Sequence, residues 1–185
     1  MLWGAASGAL ELRAEARGVR ILGRFPYGTE TELAPGRAER IEARAFAARI
    51  EAEGQDIHFL SGHDFAKPMA SRGAGTLIIR DTGEGVEIEA QLDDGTSWAR
   101  DFLAAHKAGL IRGLSPGFRV AEGGERIERK GNGLLRSITR ADLFEVSAVT
   151  RPAYQSAQIE ARAWTLPRDR TDQRGLHRML NRWRP

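Results

Sequence analysis

The chain has 185 residues, 41% of them hydrophobic and 29% charged, with a formal net charge of +3 and no cysteine. That length buries one substantial core, and the composition is that of a folded globular protein. A disulfide framework, a thiol nucleophile and a cysteine-based zinc site are excluded, and no apolar run approaches the roughly 20 residues of a bilayer-crossing helix.

In chain order, the start from Met1 to Gly8 lacks a basic segment followed by a long apolar one, so no secretory leader is expected. Leu10 to Gly28 alternates loosely, with Val19, Ile21 and Phe25 at same-face spacing, and predicts one or two strands ended at Pro26-Tyr27-Gly28. A polar loop with Pro35-Gly36 follows, then a strand over Arg40 to Ala45 and a short helix over Phe46 to Ala52, closed by Gly54. Asp56 to Leu60 predicts a buried strand running into the polar turn Ser61-Gly62-His63-Asp64. Thr76 to Arg80 and Val86 to Leu92 predict a hairpin, with the turn at Asp81-Thr82-Gly83-Glu84-Gly85. Thr96 to Ile111 predicts a helix capped by Thr96 or Asp94, with Trp98, Phe102, Ala105 and Leu110 on one stripe and Gly113 after its end. Leu114 to Ala121, Arg126 to Arg129, Leu134 to Ala141 and Phe144 to Thr150 then read as strands, and Pro152 ends the last.

The fold class this predicts is mainly β with a few helices, an α+β chain whose strands close or nearly close into a small barrel surrounded by helices, because closure removes exposed edges. One domain is expected over residues 1–163 and a basic tail over 164–185, where Arg168, Arg170, Arg174, Arg178, Arg182 and Arg184 face only Asp169 and Asp172. Leu176, Met179, Leu180 and Trp183 in that tail have helical spacing, as in a short amphipathic helix. An arginine-rich tail can meet nucleic acid or an acidic protein surface, or be a solvated arm; the folded part has no basic stripe, so nucleic acid is not expected as the main partner.

Of the four histidines, His58 between Ile57 and Phe59 reads as a packed strand residue, His106 as a helix-boundary residue and His177 as part of the tail. His63, where a strand meets a turn, has room to approach another side chain. Ser115, in Gly113-Leu114-Ser115-Pro116-Gly117-Phe118, lies beside a Pro-Gly pair that constrains the backbone; a serine becomes a nucleophile only where a base takes its proton, and a bland turn reads the same way. Glu145, in Leu143-Phe144-Glu145-Val146-Ser147, shares a strand face with Ser147; it is a carboxylate needing a partner if that face is buried, and more simply an outward-facing glutamate of an edge strand. There is no phosphate-binding loop, no His-x-x-x-His pair, no Gly-x-Ser-x-Gly elbow, and no cofactor or metal is called for.

Three blocks together, Ser61-Gly62-His63-Asp64, Gly113 to Phe118, and Leu143 to Ala153, resemble in order and spacing the prohead proteases of tailed phages, a family with members in prophages and gene transfer agents. The resemblance covers roughly residues 18–157. It implies a serine endopeptidase on a small barrel like that of the herpesvirus capsid-maturation protease, acting inside the assembling prohead in the bacterial cytoplasm. Its partners would be scaffold, the major capsid protein and itself as substrates, with a homodimer as the herpesvirus likeness suggests. Ser115 would be the nucleophile, His63 the general base, and Glu145 the orienting residue, at the chain position where the herpesvirus relatives supply a second histidine. Asp64 is the rival carboxylate. Gly117 and Arg151 would supply oxyanion donors, since Pro116, where many members have a β-branched residue, has no N–H. The non-catalytic alternative is a capsid-assembly or scaffold-binding barrel of the same fold.

Overall fold

The computed structural model describes residues 2–3, 8–15 and 18–150. Arg151, His177 and the basic tail lie outside the described residues. In chain order the described elements are β1 (Leu2–Trp3), β2 (Gly8–Glu15), β3 (Gly18–Pro26), β4 (Glu30–Ala34), β5 (Arg37–Ile41), α1 (Ala47–Glu51), β6 (His58–Ser61), β7 (Pro68–Ser71), β8 (Leu77–Asp81), β9 (Gly85–Leu92), α2 (Ser97–Lys107), β10 (Gly113–Val120), β11 (Glu125–Lys130), β12 (Gly133–Ile138) and β13 (Ala141–Val149). The chain is therefore mainly β with two helices among the described residues.

The strands form two sheets. The larger runs β7-β6-β13-β10-β2-β3-β9-β8, with β1 also on β10, and the smaller runs β11-β12-β5-β4. Neighbours are antiparallel except β13 with β6 and β12 with β5. A closed barrel is not what the described residues form, since no ladder joins the edge strands β7 and β8. The chain passes from one edge to the other through the tight turn Arg72–Thr76, where Thr76 N–H donates to Ser71 O at 3.1 Å and Ser71 N–H to Thr76 Oγ1 at 3.0 Å.

Four local expectations shift, each for a physical reason. The loop before Pro35-Gly36 is strand β4, which buries only Leu33 and turns its glutamates outward; Gly36, at φ 70°, makes the hairpin to β5. The strand predicted over Arg40 to Ala45 lies earlier, at Arg37–Ile41, because Arg44 adopts φ 64°. β7 carries little sequence signal: it is short, begins with a proline, and is held by the Trp98 indole N–H donating to Pro68 O at 2.8 Å. Helix α2 is capped by the Thr96 hydroxyl, which accepts from Ala99 N–H, but stops at Lys107, not Ile111, because Gly109 takes φ 75° and donates to His106 O at 2.8 Å.

The core lies beneath β10 and β13. Leu114 and Phe118 of β10 and Leu143, Val146 and Ala148 of β13 point into it, against Phe46 at the start of α1, Phe59 of β6 and Phe102 of α2. Phe46 is wholly buried, 5.4 Å from the Phe118 ring and 6.0 Å from that of Tyr27. Replacing Phe46 with Ala should lower unfolding free energy by about 3–5 kcal/mol. Urea unfolding checks this, with a lower midpoint and an unchanged slope expected.

Candidate active site

The side of β10 and β13 away from this core carries the polar residues. On β10 the core takes Leu114 and Phe118, so alternation turns Ser115 and Gly117 the other way. On β13 the parity changes midway: Ala141 and Leu143 face the core before Phe144, Val146 and Ala148 after it. The cause is a β-bulge. Gly117 pairs with Glu145 and Phe118 with Leu143, which leaves Phe144 as the extra residue. Beyond the bulge, Glu145 and Ser147 stand on the same face as Ser115 and Gly117, with Ser115 directly across from Ser147. Directly opposed residues have Cβ atoms about 4.5–5.5 Å apart.

His63 reaches this face from the end of β6, which pairs with β13 on its other side. Ser61-Gly62-His63-Asp64 is a tight turn in which Asp64 N–H donates to Ser61 O at 3.3 Å, with Gly62 at φ 66° and His63 at φ 63°. Positive φ at both central residues is the type I′ turn, and a histidine there is strained unless its surroundings hold it. They do: Gly62 N–H donates to Ala148 O and His63 N–H to Ser147 Oγ, each at 3.0 Å. The imidazole Nδ1 then lies 2.7 Å from Glu145 Oε1.

Glu145 has no solvent exposure, so the expectation of an outward-facing edge glutamate is overturned. β13 is internal to the sheet, and the bulge turns the carboxylate under the histidine. Oε1 meets His63 Nδ1 and Oε2 accepts from the Ser147 hydroxyl at 2.5 Å. Such pairing lets a carboxylate stay buried, and an acceptor at Nδ1 favours the imidazole proton there, leaving the lone pair on Nε2. Gly117 makes the space: a Cβ on it would overlap Glu145 Oε1 and stand 2.6 Å from Cδ.

Asp64 does not join them. Its carboxylate accepts from Ala66 N–H at 2.9 Å and pairs with Lys67 at 3.3 Å, and these contacts hold it below the usual carboxylate range. His58 is a partly buried strand residue whose ring stands edge-on to the exposed Phe65, 5.9 Å away. His106 contacts Ile111 O and the Phe102 ring on α2. Strand alternation puts Ser147 beside Glu145 without giving it a part; the signal that finds it is three-dimensional, the return of the Ser61–Asp64 turn onto β13. Among the described residues no three side chains group to hold a metal ion, and no helix is long and apolar enough to cross a membrane.

The sequence profile of the caudovirus prohead serine proteases matches residues 10–172 of the chain. A dipeptidyl-peptidase 5 of Arthroderma otae, found twice for that species, is 31% identical over 104 residues. The likeness covers 56% of this chain, and the chain spans only 14% of that protein's length. No solved structure matches the chain.

Because the space over Gly117 is filled by one side chain, Gly117→Ala should destabilise the protein by about 1–3 kcal/mol, the usual penalty of overpacking. Adding Glu145→Ala should relieve most of that loss. A double-mutant cycle by urea unfolding reads the coupling, and independent, additive effects would refute the contact.

Proposed function

Since the chain belongs to the family of caudovirus prohead serine proteases, we propose that Ser115, His63 and Glu145 act as nucleophile, general base and orienting carboxylate of a peptidase that cuts scaffold and major capsid protein, and itself, during maturation of a phage or phage-like particle. The observation that carries the reading is the buried Glu145 carboxylate on His63 Nδ1, with Ser115 on the same sheet face. In this reading His63 Nε2 takes the Ser115 proton as Oγ attacks the peptide carbonyl, and returns it to the leaving amine; water then repeats the exchange on the acyl-enzyme. Glu145 keeps its charge throughout and stabilises the imidazolium between those transfers.

The oxyanion donors proposed are the amides at Gly117 and Arg151. Gly117 lies between β13 and β1, and a strand amide points along the sheet plane, so more of the role falls to Arg151, just past β13. A homodimer, a protease domain over residues 1–163, a basic tail contacting the scaffold, and work inside the prohead in the host cytoplasm belong to the same reading. No cofactor enters it.

One observation favours a non-catalytic scaffold-binding role: Ser115 has no exposure. The peptidase reading therefore requires the site to open before a substrate carbonyl reaches it, as a partner-triggered enzyme would. Intact-mass spectrometry of the protein coexpressed with its major capsid protein separates the two. Defined fragments should appear with the wild type and vanish with Ser115→Ala. Glu145→Gln should slow cutting by on the order of 10⁴-fold, as when a triad carboxylate is neutralised, while Asp64→Asn should cut at nearly the wild-type rate. Intact proteins from a folded wild type would favour scaffold binding, and equal cutting by Ser115→Ala would remove Ser115 as nucleophile.

A further inference from the structure

We propose that Ser147 is a positioning residue that locks the His63–Glu145 pair from both sides at once. The inference rests on the peptidase reading for its consequence and on geometry for its substance. A serine hydroxyl has one proton to give and two lone pairs to receive with. Ser147, wholly buried, gives its proton to Glu145 Oε2 at 2.5 Å and receives the His63 N–H at 3.0 Å.

These two bonds do different work. The first engages the carboxylate oxygen that His63 does not use, so the group cannot rotate away without losing a charge-assisted bond in a place closed to water. The second holds the backbone of a non-glycine residue at φ 63°, a conformation that persists only where its surroundings over-determine it. One oxygen thus sets both the direction of the carboxylate and the position of the ring that reads it. The turn keeps two other anchors, Gly62 N–H to Ala148 O and Asp64 N–H to Ser61 O, so loss of the hydroxyl should disorder the pair more than it unfolds the turn. Ser147 also stands directly across from Ser115. Its proton points to the carboxylate and not to the imidazole, which separates its part from that of Ser115.

The test compares wild type with Ser147→Ala, which deletes the hydroxyl, and Ser147→Thr, which keeps it. Each, with the major capsid protein present to open the site, is treated with a fluorophosphonate that labels Ser115: the Oγ–P bond forms, P–F breaks, fluoride leaves, and the hydroxyl proton passes to His63. Ser147→Ala should reduce the limiting labelling rate by roughly 10- to 100-fold, by analogy with the loss seen when a hydrogen bond orienting a metal-ligating histidine is removed. The half-saturating probe concentration should not move, and Ser147→Thr should restore the rate to within a few-fold. If Ser147→Ala does not fold, Ser147→Cys fills the same space with a poor hydrogen-bonding group and takes its place. Wild-type labelling by the folded hydroxyl-less variant, or a Thr variant as slow as Ala, overturns the proposal. If the wild type itself is not labelled, the peptidase reading fails, and the downfield His63 Nδ1 proton in NMR spectra decides the positioning alone. Its loss in Ser147→Ala and retention in Ser147→Thr supports the lock; its persistence in Ser147→Ala refutes it.

Discussion

A carboxylate without solvent exposure must be surrounded by donors, and the Glu145 side chain imposes that demand on everything near it. Each oxygen has a partner, one on His63 Nδ1 and one on the Ser147 hydroxyl. Each partner needs its own placement. The histidine arrives on a turn bonded to β13 through Gly62 and through its own amide. The carboxylate needs room that only a glycine at position 117 leaves. It also needs to face away from the core, which the bulge at Phe144 provides by changing the parity of β13 halfway along. Bulge, glycine, serine and left-handed histidine are four solutions to one constraint.

The strand beside it is fitted to the same region in a different way. β10 is an internal strand carrying a proline, which ordinarily breaks a ladder. On its β13 side the register is continuous through Ser115 and Pro116. On the other side the described ladders pair Gly113 and Leu114 with β2, and Gly117 and Phe118 with β1, and skip the two residues between. Pro116 falls at the step between those two described ladders. Ser115 shares that step. Leu114 and Phe118 anchor the backbone into the core on either side of the serine.

Sequence carried the parts of this that depend on local preference. Alternation and an acidic-glycine turn made the β8–β9 hairpin legible, and Thr96 marked the start of α2. Where a long-range partner decides, the reading failed or stayed open. β7 exists because β6 and Trp98 hold it. β4 is polar on its exposed side, and a polar strand reads like a loop. Glu145 lies at a bulge, and a bulge is a mismatch between two strands that neither strand's text contains. The same holds for the edges of the large sheet: the pattern of many short strands argues for closure, but whether β7 and β8 pair is settled over long range, and in the described residues no ladder joins them.

The geometry also bears on whether the site is for chemistry or is a by-product of packing. A sheet face that only had to be filled would be served by apolar residues, as the opposite face of the same two strands is. Here the chain instead buries a carboxylate, forces a histidine into the left-handed region, and leaves a glycine in mid-strand where a side chain would stabilise the sheet. Each choice works against stability when taken alone. What they share is that each helps to hold the histidine with Nδ1 on an anion. Departures from local rules that converge on one point are what a functional site would produce, and Ser115 lies on the same sheet face, directly across from Ser147.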